Sequence, residues 1–360
     1  MAGITNTAFR QLCRRYGAGL YVSEMVNARG LVEGGEKSWG LAAFDPDETP
    51  RSIQLYGTDP ATVRGAVLRL IGEAHVDHVD LNFGCPVRKV TRHGGGVAVT
   101  VRPRLVEAIV AAAVDAAAEA ASAGSSPIPV TVKTRIGLDD ARPTYLDTGR
   151  AAEQAGAAAI SLHARTAAQL YSGAADWSAI ARLKQRVTLP VLGNGDIWTA
   201  SDALALVEQT GADGVVVGRG CLGRPWLFGE LADAFAGRPV RPAPTLHEVR
   251  ATLREHARLL VGRRGELGGL RELRKHIGWY LTGYPVGAEV RRGLVEVSSL
   301  AELEQLLGAL DGSLTAPREL VAGPRGTRAG PQKVTLPEGW DDASAASPPP
   351  LAAAVGATGG

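Results

Sequence analysis

From residue 19 to about residue 236 the chain alternates short β-rich runs with amphipathic helical runs, and this alternation limits the fold more than any single residue does. The strand candidates are Leu20–Val26, Ser52–Tyr56, His78–Asn82, Pro129–Lys133, Ala159–His163, Pro190–Gly193 and Gly214–Gly218. Between them lie helix candidates such as Pro60–Ile71, Arg104–Ser122, Thr148–Gln154, Trp177–Lys184, Ala200–Gln209 and Pro225–Ala236. The strands read as nearly continuous valine, isoleucine and leucine, which is the pattern of a parallel sheet covered on both faces. Seven such repeats predict an α/β fold, a (β/α)8 TIM barrel. A doubly wound sheet is the structural rival. Polar residues sit repeatedly just after the strand C-termini, which favours the barrel.

Only seven strands are visible. The chain opens Met1-Ala2-Gly3-Ile4-Thr5 and enters a helix at once, with Phe9, Leu12, Cys13 and Tyr16 on one face. A first strand should precede it, because a barrel lacking one strand leaves unpaired edges. The expectation is that this strand lies upstream and that Met1 is internal. Residues 1–236 form the expected barrel domain, and a Pro/Arg-rich linker follows over 237–246. Residues 245–310 read as a small helical domain, with Leu300, Leu303, Leu306, Leu307 and Leu310 at helical spacing. From 311 to 360 Gly, Pro, Ala and Ser dominate, which predicts a disordered tail.

Charge and cysteine usage narrow the function classes. The net charge is only +2, so any polyanion-binding surface must be local. One candidate exists: residues 245–292 carry ten Arg/Lys against five Asp/Glu, including Arg271, Arg274 and Lys275 beside His276, then Arg291 and Arg292. Cys13, Cys85 and Cys221 are far apart, which argues against a metal site or a disulfide framework. There is no apolar run of about 18 residues and no signal-peptide pattern, so no membrane span is expected and a reducing cytoplasm fits.

The chemistry gathers at the strand ends. In Val79-Asp80-Leu81-Asn82-Phe83-Gly84-Cys85-Pro86 a buried strand ends in a tight turn carrying one thiol, a nucleophile or a proton donor. Gly94-Gly95-Gly96 follows and permits close backbone approach. Two adjacent glycine loops, Gly193-Asn194-Gly195-Asp196 and Gly218-Arg219-Gly220, stand where barrels commonly bind phosphate. Helix N-termini after them are expected to favour an anion, and Arg219 adds a forked donor. Lys133 ends an otherwise apolar strand, where its partner is either an electron-rich ring edge or a buried acid. His163 is a cofactor contact or a core residue, and Gln54 lies mid-strand where its amide could read a flavin edge. Triad, metal cluster and paired carboxylates are all missing from this set. A phosphate cup, a cation and one cysteine suit flavin hydride chemistry, with Cys85 as a protonated general acid.

Several motifs in one order resemble the tRNA-dihydrouridine synthase family, specifically its bacterial B-like branch. They are Met1-Ala2-Gly3-Ile4-Thr5-Asn6, Gln54-Leu55-Tyr56-Gly57, Asn82-Phe83-Gly84-Cys85-Pro86, Lys133-Thr134-Arg135-Ile136-Gly137, His163-Ala164-Arg165-Thr166, Asn194-Gly195-Asp196-Ile197 and Gly218-Arg219 with Gly223-Arg224-Pro225-Trp226. Arg274-Lys275-His276 with Trp279-Tyr280 resembles the family's helical-domain motif. The resemblance covers roughly residues 1–310. It implies an FMN-bound barrel that reduces the uracil C5=C6 bond of tRNA with NADPH or NADH. It implies Cys85 as proton donor, and Met1, Ala2, Gln54, Lys133, His163, Asn194, Gly195, Asp196, Gly218 and Arg219 as FMN contacts. Asn82, Arg135, Arg165, Arg274 and Lys275 would face the tRNA. The expected enzyme is a cytoplasmic monomer without metal. Two rival readings remain: a flavin enzyme acting on a free pyrimidine, and a non-catalytic RNA-binding protein on the same barrel.

Overall fold

The computed structural model describes residues 1–17, 19–121, 127–326 and 330–340. Seven strands form one sheet: β1 (Val22–Asn27), β2 (Ser52–Tyr56), β3 (His78–Phe83), β4 (Val130–Arg135), β5 (Ala159–His163), β6 (Val191–Asn194) and β7 (Gly214–Val215). They lie in chain order, and every pair is parallel. A doubly wound sheet reverses its order at a switch point. This order has no reversal, so the fold is the α/β barrel type with seven strands described. β1 and β7 each have one sheet neighbour among the described residues.

The two-residue period of a strand separates the faces. In β3, Val79, Leu81 and Phe83 are buried in the hydrophobic core while Asp80 and Asn82 fall on the other face. The register aligns Gln54 with Asp80 and Asp80 with Thr131. One step up, Asn82 faces Lys133, and near the strand ends Arg135 faces His163, which faces Asn194. Polar residues from five strands are thus stacked in layers toward the C-terminal end of the sheet.

The helical domain begins at α2 (Leu246–Tyr280), whose start is set by a capping box between Thr245 and Glu248. Gly265, at φ 70° and ψ 169°, breaks α2 into two segments. The helices Ala288–Glu296 (α3) and Leu300–Gly308 (α4) pack on it around Leu253, Leu260, Leu273, Leu294 and Leu307. The helix Thr7–Arg14 (α1) serves both cores: Phe9 and Cys13 enter the barrel core, and Ala8 and Leu12 enter the helical one. His276 is a correction to its sequence context. It is fully buried against Phe9, His256 and Trp279 and is held neutral mainly by burial, so it belongs to this seam and not to a basic surface.

The expected disordered tail also needs correcting where it is described. Val321 packs in the helical-domain core, and Arg325 is buried with its guanidinium on the Val321 and Leu222 carbonyls. Residues 330–340 lie on the barrel, with Val334 and Trp340 buried. A Gly/Pro-rich segment escapes disorder here because a few large apolar side chains have pockets to fill. Residues 341–360 lie outside the described residues.

Candidate active site

β3 runs directly into the Cys85 turn. The Asn82 side-chain oxygen accepts the Gly84 and Cys85 backbone N–H groups at 3.0 and 2.9 Å, capping the turn from below. From above, Val97 N–H donates to the Cys85 carbonyl at 3.1 Å. Gly96 has φ 59°, and a Cβ there would lie 2.4 Å from that carbonyl oxygen. The glycine triplet therefore lets one backbone seat on the other. Cys85 is half-buried, and burial pushes its thiol above the usual value of 9.0. The Val87 N–H and the Arg135 charge pull back only in part. At neutral pH this is a thiol with a proton to give, placed at a strand end.

Below the turn runs a hydrogen-bonded chain that has a single consistent direction. Because Asn82 spends its oxygen on the turn, its amide N–H donates to the Gln54 oxygen at 2.8 Å. Gln54 in turn donates to Asp80 at 2.7 Å, and Thr131 donates to the other Asp80 oxygen at 2.7 Å. His78 joins Thr131 to Ser52 at 2.9 and 2.8 Å. Asp80, buried, has its pKa raised by desolvation despite these donors. Asp80 and Thr131 are functional neighbours that motif reading missed. The available signal was the strand period, which puts Asp80 on the face of Asn82. Gln54 is engaged with Asn82 and Asp80.

Positive charge gathers around His163 at the neighbouring strand ends, and Arg135 among it also acts on Cys85. The Lys133 ammonium reaches the Asn194 side-chain oxygen at 3.1 Å, so its hydrogen-bond partner is an amide and not an acid. Burial first, then Arg135, lowers its pKa to about 8, with Asp80 opposing. Arg135 is buried and donates to the Thr166 and Leu170 carbonyls at 2.9 Å each. His163 is kept neutral by burial and by Arg135, Lys133, Arg165 and Arg219. The Arg219 guanidinium lies 4.2 Å from the Tyr171 ring centre and 5.3 Å from that of Trp198. Neither aromatic residue was singled out from the sequence.

Arg165 and Asp196 are partners of each other. The Arg165 side chain is only 3% exposed and pairs with Asp196 at 2.7 Å. It also donates to the Ser172 and Gly173 carbonyls, and Asp196 accepts the Ala175 N–H. The two side chains brace neighbouring loops to each other, with Asp196 still 22% exposed and Arg165 Nη1 lacking a hydrogen-bond partner. The helix N-termini expected to hold an anion are also engaged. After β6, Asp202 accepts the Trp198 and Thr199 N–H groups and Thr199 caps Asp202. After β7 comes one short turn, Arg219–Cys221.

What the site does offer a phosphate is a backbone cradle beside a cation. At Gly218 a Cβ would meet nothing nearer than 4.0 Å, so the backbone borders open space next to Arg219. At Gly220 a Cβ would lie 2.2 Å from the Ile197 carbonyl oxygen, so that loop must be glycine to close. Lys133 and Arg135 donate to amide and carbonyl oxygens and not to acids, and an anionic ligand fits that excess of positive charge near His163. The residues present therefore suit a bound phosphate-bearing cofactor with an electron-rich ring.

The remaining expected residues lie at the edge. Met1 is half-buried, its amine in the electrostatic reach of Glu24 and Lys133, while Ala2 is exposed. Lys275, exposed on α2, donates to the Gly3 carbonyl, and Gly3 N–H donates to Glu24 at 2.7 Å. Arg274 is half-buried with its Nε lacking a hydrogen-bond partner. These two basic residues are not brought to Cys85. They lie on the domain that flanks the N-terminal turn.

A family model described as dihydrouridine synthase (Dus) matches residues 1–313. A probable tRNA-dihydrouridine synthase of Mycobacterium tuberculosis (strain ATCC 25618 / H37Rv) is 54% identical over 348 residues, covering 94% of this chain and 88% of that protein. One from Mycobacterium leprae (strain TN) is 52% identical over 367 residues and covers 94% of each chain. A tRNA-dihydrouridine synthase B of Pseudomonas putida is 40% identical over 291 residues, covering 81% of this chain and 83% of that protein.

Proposed function

The chain belongs to the dihydrouridine synthase family, and we propose that it reduces the C5=C6 bond of uridines in tRNA, with FMN as cofactor and NADPH or NADH as reductant. The observation that carries this reading is a protonated Cys85 thiol fixed at a strand end beside Arg135, next to the cations gathered around His163. FMN, when bound, supplies the hydride. Gly218 and Arg219 would hold its phosphate. Lys133, tethered to Asn194, would set a positive charge beside the electron-rich edge of its ring.

Cys85 then gives its Sγ proton to the pyrimidine carbon that does not receive hydride. Burial, which keeps the proton on sulfur, makes it an acid and not a nucleophile. Asn82 fixes the turn that aims the sulfur. The neutral imidazole of His163 adds a hydrogen-bonding group without adding a fifth charge. The target base must leave its stack to enter a barrel mouth. Lys275 and Arg274 on α2 offer the backbone contacts that hold the rest of the tRNA. Among the described residues no helix is long and apolar enough to cross a membrane. A tRNA substrate supports a cytoplasmic enzyme.

The test is dihydrouridine formation in unmodified tRNA with FMN and NADPH, run with the wild-type chain and with Cys85→Ala. The expected result is product at a defined uridine, falling by about 10²–10⁴-fold in the variant while FMN stays bound. Wild-type turnover by the variant removes Cys85 from the reaction. Activity on free uracil but not on tRNA replaces the substrate assignment.

A further inference from the structure

The family match ends at residue 313, yet the chain continues onto the rim of the barrel that carries the site. Arg325 is anchored at Leu222, just past the Gly218–Arg219 loop. From Gly330 the chain crosses the loop after β5, where Gln332 N–H donates to the Ala168 carbonyl at 2.8 Å. Val334 is buried with Val97, Leu138 and Ala167, residues from the loops after β3, β4 and β5. The last described residue, Trp340, is 1% exposed.

Two of its contacts fall on either side of the acid. The Gln332 side-chain N–H donates at 2.8 Å to the carbonyl of Pro86, the residue after Cys85. The Trp340 indole N–H donates at 2.6 Å to Ala98 O, and its ring takes the space a Cβ on Gly94 would need. Residues 94–98 are the strip that seats on Cys85 through Gly96 and through Val97 N–H. Arg102 clasps the end of the segment, donating to the Trp340 and Gly339 carbonyls at 2.9 Å each and stacking 4.3 Å from the indole. The Cys85 turn is therefore gripped from the Pro86 side by Gln332 and from the Gly94–Ala98 side by Trp340.

We infer that Gln332 and Trp340 are positioning residues for the Cys85 acid, the C-terminal segment acting as a belt that fixes the thiol and keeps it shielded. This rests on Cys85 being the proton donor. A rigid acid loses rate steeply when it is displaced by about an ångström, and a shielded thiol keeps its proton. Loosening the belt should do two things at once: slow proton transfer and make the sulfur more exposed and more reactive.

The experiment uses the full chain with Gln332→Ala and, separately, Trp340→Ala. Each is also made in the Cys85→Ala background. One readout is kcat and KM for tRNA. The other is the rate of iodoacetamide labelling at each cysteine, followed by peptide mass spectrometry without cofactor or substrate. We expect kcat to fall about tenfold or more with KM unchanged, no further fall in the Cys85→Ala background, and severalfold faster labelling of Cys85. Cys13 and Cys221, 1% and 2% exposed, serve as controls and should stay unreactive. Wild-type kcat and labelling in Gln332→Ala overturn the inference. So does a rate loss that persists without Cys85, or a rise in labelling of all three cysteines together, which marks general loosening. Should Trp340→Ala fail to fold, Gln332→Ala decides alone. Full turnover by Cys85→Ala itself refutes the acid assignment instead, and the labelling rates still report whether the belt holds the turn.

Discussion

Asn82 makes three hydrogen bonds with one amide, and replacing it separates their contributions. In Asn82→Ala the Gly84 and Cys85 N–H groups lose their acceptor and the Gln54 oxygen loses its donor, contacts of 3.0, 2.9 and 2.8 Å. At about 0.5–1.5 kcal/mol net for each bond, the loss of stability should be about 2–4 kcal/mol, against a typical total of about 5–15. Asn82→Asp keeps both acceptor contacts to the turn and loses only the donation to Gln54. Turning the Gln54 amide over does not repair it, because the reversed oxygen would then face Asp80. The aspartate variant should therefore lose about 1–2 kcal/mol yet hold the turn. Urea unfolding measures the first quantity, and iodoacetamide labelling of Cys85 measures the second. The alanine variant should show both a lower midpoint and faster labelling, and the aspartate variant only the lower midpoint. Equal labelling in the two variants would refute the view that the side-chain oxygen of Asn82 holds the turn.

Lys133 gives a pH prediction with two opposite signs. Its pKa of about 8 in the ligand-free protein lies below the usual 10.5, so affinity for FMN should weaken as pH rises through 8. Between those values the unfolded chain binds more protons, so this group makes folding stability rise with pH over the same window. Fluorescence titration of FMN beside urea unfolding, from below to above pH 8, checks both; an affinity independent of pH contradicts the charge assignment. Asp196→Asn leaves the buried Arg165 charge unpaired and should cost about 3 kcal/mol in thermal unfolding, with tRNA affinity unchanged. A weaker KM for tRNA at an unshifted melting temperature would assign Arg165 to the substrate. Lys275→Ala should weaken tRNA binding and lower the salt slope by about one, which binding at several salt concentrations measures; an unaltered slope moves the RNA surface elsewhere.

The barrel was readable because parallel strands announce themselves: Ser52–Tyr56 and Ala159–His163 stand at the residues expected from their apolar runs. Strand ends were less clear, since the seventh is only Gly214–Val215, with the glycine loop following sooner than its valines suggest. The convergence of Cys85, Asn82, Lys133, His163 and Asn194 followed from their common place at strand ends. The pairing of Arg165 with Asp196 was not legible, because nothing local marks a long-range partner: Asp196 is 31 residues away. The belt was hidden by composition. Its glycines and prolines outvote Val334 and Trp340, and burial of single anchors depends on pockets that a linear pattern does not contain.

The belt also gives the molecule a chronology. The hydrogen bonds from Gln332 to Pro86 and from Trp340 to Ala98 span 246 and 242 positions in the chain. Domains form in order as a chain leaves the ribosome, so the barrel and then the helical domain emerge while the Cys85 turn is still unclasped. The turn is secured only after residue 340 has been made. A product ended between residues 326 and 332, by a premature stop or a protease nick, would keep all seven strands and carry an unguarded thiol.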